Sequence, residues 1–380
     1  MIHRERMRDH FVALVRIDSP SRQERALATH LAEELHGLGA EVIFDQADRM
    51  VGGTVGNLIA RIRGTRAGVA AFLLCAHMDT VGADVGISPR VEGDVVRSDG
   101  TTILGADDKS GIAIICEVLR VLRDEAIPHG ELEIVFTICE EIGLLGARHL
   151  EVAELRARTG LILDSSNPGH LITRAPAANR LQFIVRGLEA HAGVSPEKGI
   201  NAIRIASEAI AAMRLGRLDE ETTANVGKIE GGTAINIIPN AVTVHGETRS
   251  HDEDKLKIQT EHMVRCFEEA AARHVLSLDG ATYRGEVHCQ VHRDYDRLFI
   301  PEGARIVQLV CEAARALGRE ITLWRTGGGS DANILYAKGL EVANLGTGQR
   351  EVHTVREHLV LSDMVRSAEL VLETLRLQAA

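Results

Sequence analysis

With 380 residues, 45% of them apolar, and a net charge of −11, the chain is longer than one hydrophobic core usually supports, so two domains are expected. The acidic balance argues against a nucleic-acid partner, which would need clustered Lys and Arg. Residues 1–18 are charged and lack the apolar core of a secretory signal, and the most apolar stretch, 68–76, is too short to span a bilayer. A soluble, cytoplasmic protein with no membrane partner is expected.

In chain order, Ser21 followed by Glu24 reads as a capping box. It opens a helix in which Leu27, Leu31 and Leu35 recur at helical spacing until Gly37 and Gly39. Strand-like runs follow at 41–45 and 57–62. Residues 69–76 are continuously apolar, as in a parallel strand covered on both faces. Ile112, Ile115, Leu119 and Leu122 mark a helix, 132–139 a strand, and 161–163 a short third one. The alternation predicts an α/β domain with a mostly parallel sheet.

From about residue 177 the texture changes. Leu181, Phe183 and Val185 alternate as on one face of a half-exposed sheet. A helix with Ile203, Ala206, Ile210 and Met213 follows, then strands near 225–229 and 242–246, and a charged helix carrying Met263, Phe267 and Ala270. We expect a smaller strand-and-helix sandwich at 177–293, inserted in a domain made of 1–176 and 294–380. Helices around 306–317 and 361–375 close that outer domain. Cys75, Cys116, Cys139, Cys266, Cys289 and Cys311 are scattered without a C-x-x-C pair, as expected for reduced structural thiols.

The polar residues fall where a site would form. The run 69–76 ends in His77-Met78-Asp79, the run 132–139 in Glu140-Glu141, and 161–163 in Asp164. The apolar run 342–345 leads through a loop to His353, and Asp107 and Asp108 open the helix that runs to Leu122. In open α/β sheets, sites form beyond the carboxyl ends of the strands. Two His with several carboxylates suit zinc, or cobalt or manganese, better than a thiolate-seeking ion. So many acids in one place would repel one another unless cations neutralised them. Two divalent ions, roughly 3.5–4 Å apart and sharing a carboxylate, would do so. Any one of these residues alone reads as a helix cap or a surface histidine; their coincidence points to a site.

The motifs A-H-M-D-T-V (76–81), G-A-D-D-K-S-G (105–111), E-E-I-G (140–143), L-D-S-S (163–166) and E-V-H-T (351–354) resemble, in order, the metal motifs of the peptidase T-like enzymes. That dinuclear family also includes carboxypeptidase G, acetylornithine deacetylase and succinyl-diaminopimelate desuccinylase. The resemblance implies a zinc-peptidase catalytic domain with a mixed, mostly parallel sheet and an inserted lid or dimerisation domain. It implies His77 and Asp164 on one metal, Glu141 and His353 on the other, and Asp107 bridging both, with a cis peptide bond from Asp107 to Asp108. Asp79 would orient His77, and Glu140 would act as general base. The stretch 186–202 resembles the insert signature, in which His191 reaches the scissile carbonyl, commonly across a homodimer interface. Asn236 and Arg249 match substrate-contacting positions, the Arg being suited to a carboxylate. By the resemblance, Gly328, Gly329 and Ser330 fall in a loop that would close over the substrate's backbone or carboxylate, a reading we favour over a plain turn.

The expected reaction is hydrolysis of short peptides from a free N-terminus. The segment between the His77 and Asp107 motifs is shorter than in the tripeptidases, which bears on peptide length and not on the metal chemistry. A deacylase or carboxypeptidase acting on N-acyl amino acids would use the same residues. A catalytically idle metal-binding scaffold is the reading from another class, and Glu140 argues against it. A nicotinamide enzyme is disfavoured because the 327–331 run lacks the G-x-G-x-x-G spacing.

Overall fold

The apolar runs become the inner strands of a nine-stranded sheet in the computed structural model, which describes residues Met1–Ala380. Its strands are β1 (Glu41–Phe44), β2 (Leu58–Ile62), β3 (Phe72–His77), β4 (Leu132–Thr137), β5 (Thr159–Ser165), β6 (His170–Ala175), β7 (Leu298–Phe299), β8 (Thr322–Arg325) and β9 (Glu341–Gly346). They are ordered β1-β2-β4-β3-β5-β9-β6-β7, with β8 beside β6. The centre is parallel: β3 pairs with both β4 and β5, and β5 with β9. Antiparallel pairs β1–β2, β2–β4 and β9–β6 flank it. Every residue of β3 and β4 is buried, which explains why these segments are so largely apolar, with Glu133 of β4 the one charged exception, paired with Arg61.

Two compact units result, one of Met1–Arg174, Leu298–Thr326 and Ser330–Ala380, the other of Ala175–Arg297 and Gly327–Gly329. The first holds the nine-stranded sheet and helices including Arg4–Val15, Arg25–Gly37, Ala106–Asp124, Arg305–Ala316 and Leu361–Gln378.

The second unit is an antiparallel sheet ordered Gly216–Arg217, Thr222–Gly231, Ala241–Ser250, Ala177–Arg186, Glu286–Tyr295, with helices Ala202–Ala212 and Glu253–Arg273. Leu181, Phe183, Val185, Val242 and Val244 form its core with Ile205, Ala206, Met263 and Phe267. Phe183 stacks on Phe267 with ring centroids 4.0 Å apart. The strand Glu286–Tyr295 is absent from the sequence reading. Val287, Cys289 and Val291 alternate there with His288, Gln290 and His292, which is itself the pattern of a half-exposed strand, so the signal was present in the sequence and was passed over.

Two local expectations fail. Ser21 and Glu24 form no capping box: the helix starts at Arg25 with no side-chain cap. The Ser21 hydroxyl instead donates to Asp79 Oδ2 at 2.6 Å, and the Glu24 carboxylate accepts the Arg22 and Cys139 N–H groups at 2.9 and 3.1 Å. Donors and acceptors brought by the fold displace the local cap. The strand read as 132–139 stops at Thr137. Ile138 donates its N–H to the Asn57 side chain, and Cys139 turns left-handed at φ 53°. Both residues are buried within the turn, so their apolar character does not mark strand.

No helix is long and apolar enough to cross a membrane. The six cysteines are free.

Candidate metal centre

At the carboxyl end of β3, His77 is 2% exposed and is held from both ring nitrogens. Nε2 lies 3.1 Å from Asp107 Oδ1 and 4.0 Å from Asp164 Oδ1. Nδ1 donates to the Asp79 backbone carbonyl at 2.9 Å, while the Asp79 carboxylate is farther away, at 3.5 Å. The nearer contact fixes the ring, so Asp79 orients His77 mainly through its main chain. Its carboxylate does other work, accepting the N–H groups of Glu140 (2.9 Å) and Glu141 (3.2 Å). This ties the Glu140-Glu141 turn to the end of β3.

Asp107 shows its second oxygen to the other histidine, with Oδ2 3.1 Å from His353 Nε2. The same His353 nitrogen is 3.1 Å from Glu141 Oε2. Two clusters follow, His77–Asp107–Asp164 and Asp107–Glu141–His353. In each, the potential ligand atoms lie within 4.8 Å of one another. Asp107 belongs to both, one oxygen facing each histidine.

The backbone around these groups is unusual. The Asp107–Asp108 peptide is cis, and both residues depart from helical geometry although they sit in the first turn of Ala106–Asp124. His353 has φ 63° and Glu351 φ 48°. Such left-handed non-glycine residues persist where the surrounding fold over-determines them, commonly at functional sites.

Supporting contacts hold the cluster, and most were not anticipated. The buried Glu357 carboxylate accepts three backbone N–H groups of the Asp107 loop, from Leu104 (2.8 Å), Gly105 (2.9 Å) and Asp107 (3.0 Å). Asn344 on β9 clamps Asp164, accepting its N–H at 3.0 Å and donating to its carbonyl at 2.7 Å. Asp108 accepts the N–H groups of His77 and Gly111, each at 3.2 Å. Buried Asp331 receives the Thr137 hydroxyl at 2.5 Å. A polar Asn344 within the apolar run 342–345 was a readable signal. Glu357 carried none, because its partners are main-chain groups about 250 residues away.

The electrostatics are those of acids crowded out of water. Burial first, then neighbouring carboxylates, push Asp164 well above the ordinary carboxylate range. Burial does the same to Glu140, helped by Asp164, Asp331 and Glu141. Asp107 goes the other way: burial would raise it, but hydrogen bonds from His353 and His77 hold it below its usual value. His353 is raised to about 10 by Asp107 and Glu141. Glu141 Oε1 is buried without a hydrogen-bond partner. An orphaned carboxylate oxygen, a carboxylate divided between two imidazoles, and acids forced towards their protonated forms all fit divalent cations, which would supply the missing positive charge.

The sequence-predicted residues thus divide. His77, Asp79, Asp107, Glu140, Glu141, Asp164 and His353 come together in the first unit. His191, Asn236, Arg249, Gly328 and Gly329 belong to the second. His191 and Asn236 are exposed there, on paired segments in which the Ala192 N–H donates to the Asn236 carbonyl at 2.9 Å. Arg249 is forked onto Glu247, with contacts of 3.1 and 2.9 Å. A Cβ on Gly329 would lie 2.4 Å from the Tyr295 ring, so the glycine there admits that ring. Ser330, in the first unit, caps the helix Asp331–Ala337 through a capping box with Asn333.

Comparison with known proteins agrees with this geometry. The family model described as Peptidase family M20/M25/M40 matches residues 73–377. The chain is 40% identical to uncharacterized protein YqjE of Bacillus subtilis over 372 residues, 98% of either chain. Among solved structures it resembles aminopeptidase PepT from Bacillus cereus, with 39% identity, TM-score 0.87 and full coverage of both chains. It also resembles a tripeptidase from Staphylococcus aureus, with 36% identity, TM-score 0.92, and coverage of 100% of this chain and 99% of that one. With its fold, its two clusters and its sequence all agreeing, the chain belongs to Peptidase family M20/M25/M40 and is a peptidase T-like metallopeptidase.

Proposed function

We propose that the chain removes the N-terminal residue from short peptides, using two zinc ions held by His77 and Asp164, by Glu141 and His353, and by Asp107 between them. The observation that carries this reading is Asp107, with one oxygen 3.1 Å from His77 and the other 3.1 Å from His353. Two imidazoles and three carboxylates form a donor set that zinc accepts, with cobalt and manganese as substitutes. When bound, the ions polarise the scissile carbonyl and ease deprotonation of the attacking water.

Glu140 is the proton carrier in this proposal. Its N–H is anchored on Asp79 while the adjacent Glu141 is turned to His353, which leaves the Glu140 carboxylate for the reaction. It takes the proton of the attacking water as the oxygen bonds to the carbonyl carbon. It then gives that proton to the amine nitrogen as the C–N bond breaks. The relative described as an aminopeptidase supports the N-terminal direction, and the one described as a tripeptidase supports a short substrate.

The second unit is the lid and homodimer element of the proposal, with His191, Asn236, Arg249, Gly328 and Gly329 as its substrate-facing residues and Ser330 beside them. Support comes from the motif match and from the strand Thr222–Gly231. Beyond Ala224 that strand pairs on one side only, and it exposes Ile229. Long exposed edges of this kind are natural pairing surfaces. A cytoplasmic location completes the proposal.

Product analysis on free and N-acetylated short peptides tests it. Loss of the N-terminal residue from free peptides alone is expected, whereas acetate release or cleavage confined to blocked substrates would overturn it in favour of a deacylase or carboxypeptidase. Glu140→Gln should keep its metal content and lose about 10²–10⁴-fold in kcat. Turnover near that of the parent would remove Glu140 from its role.

A further inference from the structure

We propose a third cation site in the first unit, built from His10, His30 and Glu34 and sharing no residue with the Asp107 clusters. His30 and Glu34 stand four residues apart on Arg25–Gly37 and therefore share a helix face. His10 comes from the separate helix Arg4–Val15. One ring nitrogen of each histidine and one Glu34 oxygen lie within 4.8 Å of one another. A tetrahedral zinc ion with bonds of about 2.0–2.1 Å sets its ligand atoms roughly 3.4 Å apart. Small side-chain rotations would close the present spacing to that value.

The His10 side chain is only 8% exposed, and its Nε2 lies 2.8 Å from Glu34 Oε2, so these two atoms already face one another between the two helices. An ion seated there would take the Nε2 lone pair in place of the proton now shared with the carboxylate. Arg120 Nη2 donates to Glu34 Oε1 at 2.8 Å and so fixes the carboxylate's orientation, the usual service of a residue behind a metal ligand.

Two nitrogens and one oxygen suit zinc or cobalt, and exposed His30 leaves a fourth position open to water. The buried Cys116 thiol lies against Glu34 but is not among the three grouped side chains. Because the ligands come from two helices, the ion would staple one helix to the other and stabilise the folded state by mass action.

Metal content of the full chain tests the proposal. Parent, His30→Ala and Glu34→Gln proteins are equilibrated with the same buffered free zinc and assayed for metal per chain and for peptide cleavage. Each variant should hold one zinc fewer than the parent, cleave peptides within about twofold of it, and lose the zinc-dependent part of the rise in Tm. Equal metal content in all three would overturn the site. So would loss of activity together with the ion, since the ion lost would then belong to the Asp107 clusters. The comparison is a difference between proteins, so it holds whatever number of ions those clusters take.

Discussion

Gly111→Ala sets a local preference against a tertiary contact. Gly111 lies within the helix Ala106–Asp124, where alanine is intrinsically better than glycine by about 1 kcal/mol. Helix propensity alone therefore predicts a gain. The packing predicts the opposite. A Cβ built at this position would lie 2.2 Å from the Leu163 carbonyl oxygen and 2.6 Å from Asp108 Oδ1, whereas a close C···O contact is about 3.3 Å or longer. Helix and β5 must separate by roughly an ångström at a backbone atom that cannot rotate away. Forcing a methyl into a packed interior costs about 1–3 kcal/mol, and more where backbone must move. We expect a net loss of about 2 kcal/mol. Asp164, which follows Leu163, and Asp108, whose carboxylate accepts the His77 N–H, would shift with it, so metal affinity should fall as well. Urea unfolding of the chelator-treated protein, with the midpoint as readout, measures the first effect. An alanine variant as stable as the parent would refute the claim that the close approach of helix to strand requires glycine here.

Two further predictions concern side chains that touch the site without serving as ligands. Glu357→Ala would leave three N–H groups of the Asp107 loop without their acceptor, and a cost of about 3 kcal/mol or more, with weaker metal binding, is expected in urea unfolding and metal titration; a loss under about 1 kcal/mol would show the loop holding its shape unaided. Asp331 is raised to about 6, chiefly by burial, so the folded chain binds this proton more tightly than the unfolded chain does. Its contribution to stability is complete below about pH 4 and is lost as pH rises through 6. Asp331→Asn should therefore flatten the stability of the metal-free protein between about pH 4 and 6 and raise it at pH 7; an unchanged pH profile would contradict this.

Legibility differed among the residues of the site. His77, Glu140-Glu141 and Asp164 stand at or just beyond the ends of apolar runs, and a short buried strand has to stop where the chain leaves the hydrophobic layer, so the polarity change itself marks the place. Asp107 and His353 were legible through their motifs. Their closeness was not, because 246 residues separate them and no local pattern encodes that contact. Glu357 and Asp108 act on main-chain atoms, and a main-chain donor looks the same at every position, whereas Asn344 stood out as a polar residue within an apolar run. Asp79 shows the same limit: its presence was readable, but the division of labour between its carbonyl on His77 and its carboxylate on the Glu140-Glu141 turn was not.

The sequence by itself determined the α/β architecture and the order of the chemical groups along the chain, because hydrophobic periodicity and residue type are local properties, and its motifs carried the resemblance to a metallopeptidase family. Only the tertiary structure decided that Ser21 and Glu24 abandon a local cap for Asp79 and Cys139, and that Asp107 divides its two oxygens between two histidines. Each of these outcomes is a competition between a nearby partner and one delivered by the fold. When burial removes water from both, the better-placed partner wins, and its placement is a property of the packed chain.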